Sequence, residues 1–433
     1  MTSAPRTVFV NATLIDPDAG TETIGGLLVE DGVIAAVGKN VTADTVGSAK
    51  VIEAAGRCLS PGLIDARVFT GEPGAEHRET LATAGNAAAA GGVTTMILMP
   101  DTDPVIDDIA LVDFLLRRAQ ATSKVKVATT AALSKGLSGT EMTELRLLAD
   151  AGAVAFTDGR KTVSDALFFR RVMTYARDFG GLIMNHVQEP SLAGQGVMNE
   201  GEFASRLGLR GIPMEAETIQ LDRDLSLTNL TGGRYHAAMI SCRGSIERVA
   251  QAKNDGISVT CGVSVNHLTL NEADVGQYRT FCKLSPPLRT EDERLATIDA
   301  VRDGLIDLIV SSHDPQDVED KRRPFEEANY GAVGVETMLP ALLRLYHAGH
   351  MGLAALLKPL TANPASMFGF ESGRLKKGAP ADLCLFDPNE TWTLERDMLK
   401  SRAKNTPFDE ADFKGRVHMT LVDGHVVFDA AAA

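Results

Sequence analysis

Over residues 7–60, short apolar runs alternate with Gly and Asp turns, and this pattern predicts strands at 7–15, 25–30, 33–37 and 51–53. The same texture returns at the other end of the chain, predicting strands at 381–386, 417–422 and 425–428. Between these regions the period changes. From Gly62 onward, apolar runs at 63–69, 94–99, 126–131, 153–157, 182–186, 235–241, 258–263 and 308–312 read as strands. Amphipathic stretches of helical length at 76–90, 109–121, 140–151, 165–179 and 245–254 lie among them. Residues 260–330 fit the alternation least well and carry Pro286, Pro287, Pro315 and Pro324.

Alternating β and α units imply an α/β protein whose parallel sheet is covered on both faces. Eight such strands favour a closed (β/α)8 barrel over an open doubly wound sheet, and no glycine-rich dinucleotide fingerprint follows any of them. The strand-rich ends are expected to meet in space as one small β domain. The Ala-Gly-Gly stretches read as turns at helix ends, because the Lys-Ser/Thr of a phosphate-binding loop is missing.

Charge and cysteine usage narrow the setting. A net charge of -14 argues against nucleic acid and anionic membrane as partners. The five cysteines (Cys58, Cys242, Cys261, Cys282, Cys384) form no Cys-x-x-Cys pair, so free thiols in a reducing compartment are expected. The start at Met1–Arg6 carries no signal-peptide core, and no apolar run is long enough to span a bilayer, so the protein is expected to be cytoplasmic.

Specific strings add more. Ser60-Pro61-Gly62-Leu63-Ile64-Asp65 opens the first barrel strand, followed by Glu72-Pro73-Gly74, Glu76-His77-Arg78-Glu79-Thr80 and Met99-Pro100-Asp101-Thr102. Further on come Leu284-Ser285-Pro286-Pro287-Leu288-Arg289, Pro324-Phe325-Glu326-Glu327-Ala328, Gly334-Val335-Glu336-Thr337, Asn363-Pro364-Ala365 and Lys404-Asn405-Thr406-Pro407-Phe408. In order and spacing these strings resemble the dihydroorotase family of cyclic amidohydrolases along nearly the whole chain. The resemblance implies a distorted (β/α)8 TIM barrel over residues 61–365. It also implies a small β-sandwich domain built from residues 1–60 and 366–433.

In that family, two histidines on the first strand, a carboxylate, two further histidines and a last aspartate hold zinc at the C-terminal mouth of the barrel. The metal polarises the ring carbonyl and lowers the pKa of bound water. The resemblance puts these positions at Arg67, Phe69, Asp158, His186, Met239 and Ser312, so only Asp158 and His186 remain as metal-site remnants. The family's substrate-reading positions fall on Gly71, Asp101 and His313. A lost cation at 71 and a gained anion at 101 predict a pocket that repels a carboxylate. Asn266 and Ser285 replace a family histidine and asparagine. Phe69 and Met239 are expected to fill space once held by metal and solvent, and Arg67 to pair with Asp158. Asp314 shares strand parity with 312 and is the one residue placed to deputise for the lost aspartate.

These departures lead to an expectation of no catalytic residues and no cofactor. The chain would be an inactive, homo-oligomeric dihydroorotase-like protein of pyrimidine biosynthesis that supports the assembly of aspartate carbamoyltransferase. The alternative is an active, metal-dependent dihydroorotase that hydrolyses dihydroorotate to N-carbamoyl-aspartate. Its reduced or rearranged zinc site would use Asp158, His186 and either His267 or His313.

Overall fold

The structure is a computed structural model that describes residues 6–432, so the reading of the first five residues lies outside it. The N-terminal strands are β1 (Thr7–Asp16), β2 (Thr21–Glu30), β3 (Val33–Gly38), β4 (Lys50–Glu53) and β5 (Cys58–Pro61). The barrel strands that come next are β6 (Leu63–Val68), β7 (Val93–Leu98), β8 (Lys126–Ala131), β9 (Ala153–Phe156) and β10 (Leu182–Asn185). A short pair, β11 (Met198–Asn199) and β12 (Gly211–Ile212), precedes the last three barrel strands: β13 (Arg234–Ala237), β14 (Val259–Ser264) and β15 (Leu308–Val310). The C-terminal strands are β16 (Leu383–Thr393), β17 (Asp412–Val422) and β18 (His425–Asp429).

The barrel sheet runs β15-β14-β13-β10-β9-β8-β7-β6, parallel throughout. It closes where Val68 bridges His313 and the Phe69 amide donates to the His313 carbonyl at 2.8 Å. Asp65 reinforces that seam: its buried carboxylate accepts from the Ser311 amide at 3.1 Å and from the Ser311 hydroxyl. Burial pushes the Asp65 carboxyl up to about 6 against those hydrogen bonds. Ala66, Ile97, Ala128, Met239, Leu308 and Val310 form one apolar cluster on these strands, with Met367 and Phe368 packed against it.

Sequence-distant ends share the second sheet. Its order is β18-β17-β16-β5-β1-β2-β3, with β4 beside β1, and Phe9, Leu27, Ile34, Leu59, Leu383 and Leu421 lie in one buried cluster. The fold is therefore the expected barrel with a sheet domain contributed by both termini. No helix among the described residues is long and apolar enough to cross a membrane.

Two helices begin later than the periodicity predicts. The first spans Leu81–Ala90, because Thr80 forms a capping box with Thr83 and the preceding Glu79 carboxylate is committed to Thr83 and Ser401. The other spans only Leu145–Asp150, since residues 134–143 fold back along the loop, with Thr143 donating to the Ala132 carbonyl at 2.7 Å. Three helices of ten residues or more escape the periodicity reading, Glu215–Thr231, Glu291–Arg302 and Met338–His347, as do several shorter ones.

Candidate active site

The C-terminal ends of the barrel strands surround a cavity of about 240 Å³. Arg67 and Phe69 reach it from the end of β6, Arg160 from beyond β9 and His186 from beyond β10. Met239 follows β13, Asn266 and His267 follow β14, and Ser312 and Asp314 follow β15. An outer cleft lined by Asp158 and Lys161 shares Arg160, His186 and Gln188 with the cavity. Ser312 holds a left-handed backbone with φ 50°, a strained state for a residue with a side chain and one that clusters at functional sites.

Arg67 does not pair with Asp158. The Asp158 carboxylate accepts instead from the Leu133 amide at 2.9 Å, the Ser134 amide at 3.0 Å and the Ser134 hydroxyl at 2.5 Å. Burial still raises its pKa against these bonds. The Arg67 guanidinium finds only the Gly159 carbonyl at 3.4 Å and the Met99 thioether at 4.0 Å, and its Nε has no partner. Burial draws the Arg67 pKa down to about 10, which leaves it a cation at neutral pH.

The sequence reading missed Arg160. Its guanidinium grips Asp314 through Nε at 2.9 Å and Nη2 at 2.6 Å, and Asp101 through Nη1. It also lies 3.7 Å over the Phe69 ring, while Arg67 lies 5.1 Å from the same ring. One guanidinium is shared between Asp101 and Asp314, so the expected repulsion of a carboxylate by Asp101 is reduced while the three-residue cluster keeps an excess negative charge. The signal available was two unexplained acids, Asp101 and Asp314, and one arginine just past the end of β9. Gln316 completes the set with a 2.6 Å hydrogen bond to Asp314.

The two cavity histidines are uncharged at neutral pH. Burial and then the field of Arg67 lower His186 to about 3, and its Nε2 shares a 3.0 Å hydrogen bond with the Ser285 hydroxyl. Burial and then the field of Arg289 lower His267 to about 4. Its Nε2 donates to the Pro286 carbonyl at 3.1 Å, leaving Nδ1 as an acceptor without a partner. His313 and Gly71 lie outside the cavity lining. The His313 Nδ1 accepts from the Gly334 amide at 3.2 Å, and its Nε2 lies 3.6 Å from Glu79.

These residues do not fit the family's two-zinc centre. Four of the six ligand positions hold Arg67, Phe69, Met239 and Ser312, and only Asp158 and His186 keep a donor of the family's kind. Among the described residues, one group of three metal-ligating side chains converges: Asp387, Glu390 and His418, away from the barrel. There Glu390 already binds Arg416 at 3.0 Å and His418 at 2.7 Å.

Comparison with known proteins places the chain. A family model described as dihydro-orotase-like matches residues 56–245. A protein named dihydroorotase from Wolbachia sp. subsp. Drosophila simulans is 39% identical over 98% of this chain and 96% of its own length. Another of that name, from Geobacter metallireducens, is 37% identical over 96% of this chain and 97% of its own. Among solved structures, an L-hydantoinase (dihydropyrimidinase) from Arthrobacter aurescens superposes with a TM-score of 0.89 at 25% identity, covering 98% of this chain and 96% of that one. A dihydropyrimidinase from Brevibacillus agri shares the fold, with a TM-score of 0.85 at 20% identity over 98% of this chain and 95% of that one.

The expectation of an inactive supporter of aspartate carbamoyltransferase is overturned by these relatives, which are named for the hydrolase and match from end to end. Phe69 and Met239 line the cavity without closing it, so the expected filling of this space is incomplete. Nor do these names support the expectation that no cofactor is needed, since the resembling family uses zinc. By full-length similarity, the chain belongs to the dihydroorotase family of cyclic amidohydrolases.

Proposed function

We propose that the protein is an active cyclic amidohydrolase of the dihydroorotase type, hydrolysing dihydroorotate to N-carbamoyl-aspartate on a rearranged site. The observation that carries this reading is the cavity of about 240 Å³, small for a ligand site and suited to a single six-membered ring. Five of its lining residues (Arg67, His186, Gln188, Asn266 and His267) each hold a buried polar atom that lacks a hydrogen-bond partner. Buried polar atoms are rarely left so, and a ring bearing amide donors and carbonyl acceptors would satisfy them.

Asp314 is the one carboxylate lining the cavity, and Arg160 and Gln316 fix its position. In the proposed reaction, water adds to the ring carbonyl as Asp314 accepts its proton. The C–N bond then breaks, and the proton passes to the departing ring nitrogen. His186 and His267, uncharged at neutral pH, orient the ring through hydrogen bonds. Zinc dependence belongs to the same proposal through the family. Because the donors at the barrel mouth do not fit the family's centre, no step is assigned to a metal.

The test is ring opening of dihydroorotate by the purified full-length protein, zinc-supplemented in one arm and chelator-treated in the other. Turnover above an inert control protein is expected in the zinc-supplemented arm. Its absence from both would overturn the reading.

A further inference from the structure

Three charged side chains line the cavity: Arg67, Arg160 and Asp314. Arg160 and Asp314 are bonded to each other, and Arg160 also holds Asp101. Arg67 makes no ion pair. Its residue is 3% exposed, its Nε has no partner, and its terminal nitrogens reach only a carbonyl at 3.4 Å and a thioether at 4.0 Å. A guanidinium carries five N–H donors and is costly to bury without an acceptor or a counter-ion. Met96, Ile97 and Leu98 on the neighbouring strand offer it no side-chain acceptor, and the nearby carboxylate Asp65 is already bonded to Ser311.

The family's own means of gripping a carboxylate is gone here. Position 71 is a glycine outside the cavity, and any Cβ there would strike the Ala75 carbonyl, so no larger side chain fits. Asp101 is a carboxylate itself. A ligand carboxylate entering this cavity therefore meets one cation that lacks an oppositely charged contact.

We propose that Arg67 is the carboxylate receptor of this site, so that the ligand's acid group binds at the end of β6 and selects carboxylated rings over neutral ones. The inference rests on the cyclic-amide reading above and adds to it the residue that sets substrate class. Ionised pairs of guanidinium and carboxylate are strong and directional, and an arginine with open donors is suited to form one. Phe69 supports the geometry: its ring centroid lies 5.1 Å from the Arg67 guanidinium and 3.7 Å from that of Arg160, so both cations rest on one aromatic ring.

The experiment is calorimetric titration of the full-length protein with dihydroorotate and with dihydrouracil, the same ring without its carboxylate. The wild type, Arg67→Met and Arg67→Lys are compared, with ring opening and KM followed in parallel. The expected result is that the wild type prefers dihydroorotate and Arg67→Met binds it roughly 10-fold to 100-fold more weakly, the loss of one charge-assisted contact. Dihydrouracil binding should stay the same, and Arg67→Lys should recover part of the preference. Arg67→Met should also melt close to the wild type, because Arg67 makes no ion pair and its guanidinium bonds only a carbonyl at 3.4 Å and a thioether at 4.0 Å. Equal affinity of the wild type for the two rings, or an unchanged dihydroorotate affinity in Arg67→Met, would overturn the proposal. Turnover with a KM indifferent to Arg67 sinks this inference and leaves the amidohydrolase reading standing. Arg67-dependent binding without turnover does the reverse, and failure of the wild type to bind dihydroorotate at all defeats both.

Discussion

Arg160 lies 3.7 Å over the ring of Phe69 while the same guanidinium holds the Asp101 and Asp314 carboxylates. One side chain thus joins the ends of three barrel strands, β6, β7 and β15. Replacing it with methionine should leave two carboxylates, 10% and 8% exposed, without their cation. The expected cost is about 2 kcal/mol, read as a lower denaturant midpoint at unchanged m-value.

Asp314→Asn keeps the shape of that cluster and removes the proposed proton acceptor. Ring opening should fall by roughly 100-fold to 10,000-fold in kcat while KM changes little. Equal losses in both variants would point to a structural role, so the comparison with Arg160→Met matters.

Gly159 adopts φ +66°, and a Cβ built on it would run into the Asp101 carboxylate. Gly159→Ala therefore meets both left-handed strain and a displaced ion pair. A loss of about 1–3 kcal/mol is expected. The double variant with Asp101→Ala should recover part of it, and thermal melts of the four proteins would show whether it does.

The pH response should carry a histidine component from the barrel interior. Burial and then the field of Arg67 hold His236 down to about 3, against 6.5 for an exposed imidazole. The unfolded chain therefore binds a proton that the folded one refuses as pH drops below 6.5, so this histidine's contribution to stability is complete above that value and erodes on acidification. For one such residue the erosion between pH 7 and pH 5 is about 2 kcal/mol. His236→Gln should flatten the stability–pH curve by that amount across the window. Asp65 and Asp224, both raised to about 6, act in the opposite sense, so the difference between variant and wild type is the quantity to compare.

Barrel and terminal sheet were legible because strand period and turn residues report directly on burial pattern, and because long strings such as Ser60–Asp65 and Leu284–Arg289 carry position as well as composition. The long helix Glu215–Thr231 was not legible. It buries Glu217, Gln220 and Asp224 beside its leucines, and buried polar positions blur the 3.6-residue repeat. The cavity's position followed from the strand ends, and with it Arg67, Phe69, His186, Met239 and Ser312. The Arg160 network did not, since its acids lie 59 and 154 residues away along the chain. Reading each replacement alone made Asp101 look unpartnered, when Arg160 holds it together with Asp314.

Strand β5 lies between β1 and β16, pairing Thr13 with Cys58 on one side and Phe386 with Cys58 on the other. Its second neighbour thus comes from a part of the polypeptide made more than three hundred residues later. During synthesis one flank of that strand stays open until nearly the whole barrel has left the ribosome, and exposed strand flanks invite unwanted association. Nascent chains halted before residue 383 should therefore be the aggregation-prone ones, and the final stretch acts as the clasp that closes the molecule.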